Sequence, residues 1–211
     1  MSRTVLILLV SALVMLGPFT NNIMVPSLPA LAIDLRIGFG DAQAILSIYM
    51  VGFAAGQLFV GPMSDRFGRK PVLTVSLALF IIASVLCSLA PDLYSLCAAR
   101  LLQALGASAT MSVGRAIVRD SFASDKMAQV YAYIGAALAL GPIVGPIFGG
   151  VIEVSSGWRS VFWFLTAFGC LMLMTIVFLL RETNTNLNRD ATRPARLIGN
   201  YATLLSTRMY M

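Results

Sequence analysis

Residues 61–71 read GPMSDRFGRKP, a polar and basic stretch at the junction of two long apolar ones. The apolar stretches run over 43–62 and 72–91, and each has about the 20 residues that an α-helix needs to cross the hydrocarbon core of a membrane. A chain that alternates in this way buries its apolar stretches in lipid and keeps the connecting residues in water. The stretch therefore predicts two antiparallel membrane helices joined at one membrane surface.

The same alternation recurs along all 211 residues of the chain. We predict six membrane-spanning helices, at 4–33, 43–62, 72–91, 93–117, 128–152 and 159–180. The composition agrees, because 58% of the residues are hydrophobic and only 11% are charged, and the mean hydropathy is +0.86. Such values are not those of a water-soluble surface. The predicted fold class is an all-α integral membrane bundle over 1–180, followed by a polar segment over 181–211.

The first span has a second interpretation, because Arg3 precedes an apolar run as it would in a signal peptide. No A-x-A-like cleavage site follows that run, and the helical pattern continues to Ile33. We therefore expect the first span to be a membrane helix of the folded protein.

The distribution of charge predicts the orientation of the helices. A net charge of +6 could suggest a nucleic-acid-binding protein, but the basic residues are spread over short loops, so no nucleic acid partner is expected. One side of the membrane is predicted to carry most of the cations: Arg3, Arg66, Arg69, Lys70, Arg115, Arg119, Lys126, Arg181, Arg189, Arg193, Arg196 and Arg208. The other side carries Arg36 and Arg159. The positive-inside rule then predicts a multi-pass protein of the plasma (inner) membrane with both termini in the cytoplasm.

The sequence gives little support to catalysis or metal binding. It contains no histidine, and its three cysteines, Cys87, Cys97 and Cys170, lie inside apolar stretches without metal-ligand spacing. No nucleophile and base are paired within the apolar stretches. We expect no metal site and no cofactor, and an embedded enzyme is the weakest of the interpretations considered.

Residues 61–71 also resemble a family signature, the string G-x-L-(A/S)-D-R-x-G-R-(K/R)-P between helices 2 and 3 of the major facilitator superfamily, with Met63 in place of the commoner Leu. A loop that is basic only for reasons of topology would explain the cations, but not Asp65 or the fixed spacing. The resemblance implies a cytoplasmic latch. Because opposite charges at the membrane edge attract more strongly than in bulk water, we expect Asp65 to lie near Arg115 or Arg119, and Arg69 to lie near Asp120. The predicted latch residues are Gly61, Asp65, Arg66, Gly68, Arg69, Lys70, Arg115, Arg119 and Asp120. We expect Gly61 to permit a close helix approach and Gly68 to support a tight turn.

The fourth span contains RLLQALGAS at 100–108, which resembles the R-x-x-Q-G-x-G-A-A pattern of the same superfamily, apart from Ala104 and Ser108. An arginine inside a membrane helix either faces a cavity or partner, or extends toward the membrane surface. The resemblance implies the first alternative, with Arg100 lining the central cavity and handling substrate or protons. Because polar side chains in lipid must find one another or water, we expect a common interior. Its predicted members are Asn21, Asn22, Arg100 and Gln103.

The first span, PFTNNIMVPSLPALAIDL at 18–35, resembles helix 1 of the Bcr/CflA drug-resistance branch of the superfamily. Many members of that branch have an acidic residue shortly before the P-x-L-P string, whereas this chain has Asn21 and Asn22 there. The departure leaves the proton-binding group of helix 1 unassigned.

The fifth span contains GPIVGPIFGGVI at 141–152, which is similar to the antiporter signature G-x-x-x-G-P-x-x-G-G. Glycines every four residues form one smooth ridge on a helix, and the prolines permit a bend. A generic GxxxG dimerisation face would explain the glycines but not the prolines. The predicted ridge residues are Gly141, Pro142, Gly145, Pro146, Gly149 and Gly150.

The resemblance implies half of a transporter, because the superfamily assembles two six-helix halves, each built from two inverted three-helix repeats. The chain is similar to the N-terminal half, and 181–211 then forms the linker and the start of a seventh helix. Helices 1 and 4 should line the cavity, 2 and 5 should contact the other half, and 3 and 6 should face lipid. We expect the glycine faces of helices 2 (Gly52, Gly56) and 5 to lie uncovered until a C-terminal half, or a second copy, packs on them.

The expected function is secondary active efflux of small amphipathic compounds by alternating access, with proton antiport implied by the family. The alternative is a truncated membrane fragment or scaffold that folds without transporting.

Overall fold

The structure, a computed structural model, describes residues 3–185, 187, 188, 191 and 192. The helices are α1 (Arg3–Asn22), α2 (Leu28–Asp34), α3 (Phe39–Phe67), α4 (Arg69–Leu89), α5 (Leu93–Ser121), α6 (Ser124–Ser156) and α7 (Trp158–Leu179). A 3₁₀ turn at Val25–Ser27 joins α1 to α2, and together they form the first of six helical spans. This confirms the predicted all-α membrane bundle. The expected start of a seventh helix, and Arg189, Arg193, Arg196 and Arg208, lie outside the described residues.

Two prolines interrupt the first span. Pro26 lies in the 3₁₀ turn and Pro29 in the first turn of α2, where the missing N–H of proline costs no helical hydrogen bond. The turn leaves the backbone of Ile23, which is fully buried, in close contact with the C-terminal part of α6. The proline string therefore shapes a close contact between the first and fifth spans.

The fourth span, α5, is the most enclosed helix and packs against α1, α3 and α4. Small residues permit this packing: a Cβ placed on Gly106 would lie 2.6 Å from the backbone nitrogen of Phe80 in α4. Ala104 and Ala107 on the same helix are also fully buried. One face of α5, which includes Leu96, Arg100 and Gln103, consequently points into the middle of the bundle.

The helix ends form two surfaces with different charge. The start of α1, the α3–α4 turn, the α5–α6 turn and the end of α7 lie together, and we name this surface the basic end. Its described cations are Arg3, Arg66, Arg69, Lys70, Arg115, Arg119, Lys126 and Arg181. The opposite end carries Arg36 and Arg159 within the described residues. The charge difference agrees with the predicted orientation, which stays a prediction.

At the surface opposite the basic end, a group of hydrogen bonds that the sequence did not predict joins the ends of three helices. Arg159, at the start of α7, donates to Asp34 Oδ2 at 2.5 Å and to the carbonyl of Ala90 at 3.3 Å. Trp158 donates its indole N–H to the same carboxylate oxygen at 3.1 Å. Arg159 and Asp34 are both more than one-third exposed, so the pair stabilises the fold modestly.

The glycine face of α3 is covered, contrary to our prediction. A Cβ on Gly52 would lie 2.7 Å from the Leu101 side chain, and a Cβ on Gly56 would lie 2.3 Å from the Ser108 hydroxyl oxygen. Both neighbours belong to α5 of the same chain. The prediction was wrong because a face of small residues shows that some helix approaches closely, but not which one.

The glycine ridge of α6 is also covered within the chain. Gly141, Gly145 and Gly149 are buried against the first span, and a Cβ on Gly149 would lie 1.9 Å from the carbonyl oxygen of Ile23. Other ridge residues lie toward the side: Gly150 is partly buried near Pro26, Pro146 is partly buried and Pro142 is exposed. The ridge thus fixes the crossing of α1 and α6.

The face of α6 that remains open is apolar. Its exposed side chains recur every three or four residues along the helix: Leu140, Ile143, Ile147, Val151 and Val154. This spacing puts them on one stripe, which in a membrane contacts lipid or another helix.

Candidate functional site

The most unusual residue of the bundle is Arg100, whose side chain is completely buried in the first turns of α5. One terminal guanidinium nitrogen donates to Gln103 Oε1 at 2.7 Å, and the other donates to Asn21 Oδ1 on α1 at 3.1 Å. The guanidinium carbon lies 4.3 Å from the ring centroid of Tyr49 on α3, within cation–π range. Arg100 therefore makes specific contacts with two neighbouring helices.

The residues that contact Arg100 are themselves linked by hydrogen bonds to two backbone carbonyls. Gln103 Nε2 donates to Ser84 Oγ on α4 at 2.7 Å, and that hydroxyl donates to the carbonyl of Phe80, also at 2.7 Å. The Tyr49 hydroxyl donates to the carbonyl of Gly17 on α1 at 3.1 Å. The polar cluster around Arg100 thus connects α1, α3, α4 and α5, and we name it the arginine cluster.

The arginine cluster contains a cation without a carboxylate partner among the residues that the structure describes. Amide oxygens and aromatic rings contact the guanidinium instead, and Arg100 Nε has no hydrogen-bond partner within the described part of the chain. A buried cation without a counter-ion is costly, so Arg100 is a candidate for a functional residue.

The structure brings together three of the four residues predicted for the interior, Asn21, Arg100 and Gln103. Asn22 lies apart: its side-chain amide donates to the carbonyl of Pro18 at 2.8 Å, and it packs on the glycine ridge of α6. Adjacent residues of a helix point about 100° apart, so both asparagines could not face the same neighbour. Arg100 also lines no open cavity, contrary to the expectation, because the helices around it exclude solvent completely.

An open groove of about 540 Å³ lies between α1 and α6 and begins at the basic end. Most of its wall is apolar, including Ile7, Leu8, Val130 and Leu140, and Tyr133 adds an aromatic ring. The lining also includes Arg3 and Lys126, which lie at the starts of the two helices. The groove is thus an apolar surface with cationic groups at one end.

The latch centres on Arg69, the first residue of α4, whose side chain is only 5% exposed. Its Nε donates to Asp120 Oδ2 on α5 at 2.9 Å. One terminal nitrogen donates to Asp65 Oδ1 and to Ser64 Oγ on α3, both at 2.6 Å. The guanidinium therefore joins three helices at the basic end, and it makes the contact with Asp120 that the sequence predicted.

Within the described part of the chain, Asp65 forms its ion pair with Arg69, and no ion pair joins it to Arg115 or Arg119. Arg115 and Arg119 nevertheless line the same pocket as Asp65, in the neighbourhood that was expected. One expectation about the latch is wrong. Gly61 permits no close helix approach, because a Cβ there would meet nothing within 4 Å.

The predicted latch residues that do not pair directly surround a polar pocket of about 300 Å³. Gly61, Arg115 and Arg119 line it together with Asp65 and Arg69. The structure thus places these latch residues around one pocket, although only Arg69 joins the acids.

The remaining latch residues shape the α3–α4 turn. Gly68 has a φ of 99°, which side chains with a Cβ rarely adopt, and it ends α3 as predicted. Arg66 stacks on Phe67, with its guanidinium carbon 4.9 Å from the ring centroid, and donates to the Thr192 hydroxyl. Lys70 donates to the carbonyl of Val177 in α7 at 2.8 Å.

Sequence reasoning missed Glu182, which follows α7 and contacts the α3–α4 turn. Although burial alone would raise its pKa, backbone N–H groups of Asn184, Arg69, Lys70 and Thr183 hold the pKa of Glu182 below its ordinary value. The only signal in the sequence was an acidic residue directly after Arg181, at the end of the sixth span.

Comparison with known proteins agrees with this architecture. The family model described as Major Facilitator Superfamily matches residues 9–209. The chain belongs to the major facilitator superfamily. Among curated relatives, the multidrug resistance protein MdtL of Escherichia coli (strain UMN026) is 37% identical over 183 residues, which cover 87% of this chain and 47% of that protein. The MdtL of Shigella flexneri serotype 5b is 39% identical over 172 residues, which cover 82% of this chain and 44% of that protein.

Solved structures of the superfamily share the fold. The human organic anion transporter MFSD10 (TETRAN) superposes with a TM-score of 0.69 at 21% identity, covering 88% of this chain and 50% of that one. A bacterial homologue of the human lysosomal transporter Spinster, inward-facing and unoccupied, superposes with a TM-score of 0.76 at 18% identity, covering 87% and 44%. The chain thus spans about half the length of the superfamily members that it resembles.

Proposed function

We propose that this chain is the N-terminal half of a secondary active efflux transporter in the plasma (inner) membrane, with both termini in the cytoplasm. It exports small amphipathic compounds by alternating access and takes up protons in exchange. Membership of the superfamily and the relatives' description as multidrug resistance proteins support transport over catalysis or a scaffold role. The observation that carries the proposal is the arginine cluster, in which a buried cation and the side chains around it connect α5 to three other helices.

The groove between α1 and α6 supports an amphipathic substrate. A compound with an apolar body can bury that body against the aliphatic and aromatic wall, while a polar or anionic group stays near Arg3 and Lys126. Apolar contact is tolerant of shape, which suits a carrier of several compounds. The groove is open on one side, where another six-helix unit would complete a cavity.

The completing unit is a C-terminal half or a second copy of this chain. The exposed apolar stripe of α6 offers it a contact surface. The arginine cluster and the latch together tie α1, α3, α4 and α5 into one body, which can rock against the other unit without breaking its own contacts.

Efflux of an amphipathic dye from cells that lack their own efflux pumps tests the proposal. We expect dye export when residues 1–211 are co-expressed with the C-terminal half of an MdtL relative, and no export from either half alone. Arg100→Ala should abolish export at an unchanged amount of protein in the membrane, because Asn21 and Gln103 lose their common partner. Arg36→Ala, at an exposed arginine of the opposite end, is the matched control and should retain export. Export that survives Arg100→Ala would contradict the proposed role of the cluster.

A further inference from the structure

Glu182 is bound to the first turn of α4 although it lies more than one hundred residues later in the chain. Its Oε1 accepts a hydrogen bond from the backbone N–H of Arg69 at 2.9 Å, and its Oε2 accepts one from that of Lys70 at 3.0 Å. These are two of the N–H groups that every helix leaves without an internal partner. A carboxylate there is favoured both by the hydrogen bonds and by the helix dipole.

The residues that follow Glu182 add further hydrogen bonds to this contact. The same carboxylate accepts from the backbone N–H groups of Thr183 at 3.0 Å and Asn184 at 2.9 Å. The Asn184 side chain donates to the carbonyls of Ser64 and Asp65 at the end of α3, at 3.5 and 3.3 Å. The residues after α7 therefore hold both sides of the α3–α4 turn.

Arg69 is the residue on which these contacts converge. Its backbone N–H binds Glu182, while its side chain joins Asp65 and Asp120. The Glu182 carboxylate packs closely against Gly68, because a Cβ on Gly68 would lie 2.7 Å from Glu182 Oε2. A shift of the first turn of α4 would move the guanidinium away from at least one carboxylate.

We propose that Glu182 is a positioning residue for the latch: by fixing the first turn of α4 against the end of α7, it sets the Arg69 guanidinium where it reaches both Asp65 and Asp120. The latch then depends on the segment that follows the sixth span. Movement of that segment relative to α4 loosens the contact between α4 and α5. Glu182 has this role whichever compound the protein carries.

Trypsin cleavage after Arg66 and Arg69 in the detergent-solubilised chain reports opening of the latch. Both peptide bonds lie at the α3–α4 turn, which the latch and Glu182 hold in place. We expect Glu182→Gln to raise the cleavage rate about tenfold, which corresponds to about 1.4 kcal/mol, since the amide replaces one acceptor with a donor. Glu153→Gln is the matched control, because the Glu153 side chain forms no hydrogen bond or ion pair within the described residues. Its cleavage rate should stay within about twofold of the unaltered chain. An unchanged rate in Glu182→Gln would overturn the proposal.

A double-mutant cycle separates positioning from simple capping of α4. Asp120→Asn removes the carboxylate through which Arg69 reaches α5, so the latch is already open on that side. If Glu182 acts through the Arg69 side chain, Glu182→Gln should raise cleavage of the Asp120→Asn chain by less than about threefold. An equal tenfold rise in both backgrounds would show that Glu182 only caps the helix, and would overturn its role as a positioning residue.

Discussion

Gly149→Ala tests whether the glycine ridge of α6 is the contact surface for the first span. The added Cβ would lie 1.9 Å from the carbonyl oxygen of Ile23, whereas real Cβ atoms stay at least 3.0 Å from such a neighbour. The two helices must therefore separate by about 1 Å, and the obstacle is backbone, which cannot rotate away. Overpacking of this kind costs about 1–3 kcal/mol, offset by up to about 1 kcal/mol because alanine favours the helix.

The expected net loss is about 1–2 kcal/mol, which for a chain of this size lowers the melting temperature by about 2–8 °C. Thermal unfolding of the detergent-solubilised protein, followed by tryptophan fluorescence, measures it. Gly135→Ala is the control on the same helix, because a Cβ at Gly135 meets nothing within 4 Å, and its melting temperature should not fall. Equal melting temperatures for Gly149→Ala and Gly135→Ala would refute the assignment of the ridge to this contact.

Three further outcomes are expected from the same unfolding assay. Gly106→Ala should destabilise by about 2 kcal/mol, because its Cβ would lie within 3 Å of three backbone atoms of α4, and an unchanged melting temperature would contradict the tight α4–α5 contact. Arg69→Ala should also cost about 2 kcal/mol, since two carboxylates lose their common cation, whereas Arg66→Ala at the exposed neighbour should cost less than about 0.5 kcal/mol. The stability difference between the unaltered chain and Glu182→Gln should be constant from neutral pH down to about pH 4.5. The difference should shrink below that pH and be lost as the pH falls through the lowered pKa of Glu182, because the unfolded chain binds the proton first.

The sequence predicted the features that depend on short-range pattern. Apolar length predicted the six spans, Gly68 indicated the turn, and the opposite charges of Arg69 and Asp120 predicted their contact. Charge alone could not rank the nearby cations, so the ion pair between Asp65 and Arg69 was not predicted.

The sequence could not predict which helices meet. The glycine faces of α3 and α6 show that helices approach closely, but the choice of α5 and of the first span depends on the tertiary packing of all six. Arg100 likewise reads as a polar residue in a membrane helix, and only the surrounding helices decide that it is sealed and not open to a cavity. Glu182 was missed because its partners are backbone N–H groups, which leave no side-chain pattern in the sequence.

The central claim is that this chain supplies half of an efflux carrier whose arginine cluster is required for transport. Proteoliposomes that contain residues 1–211 together with the C-terminal half of an MdtL relative test it most directly, with a pH gradient imposed and movement of an amphipathic dye recorded. We expect gradient-dependent dye movement that needs both halves and is lost in Arg100→Ala but not in Arg36→Ala. Equal dye movement by the lone chain as a monomer, or by the Arg100→Ala protein, would contradict it.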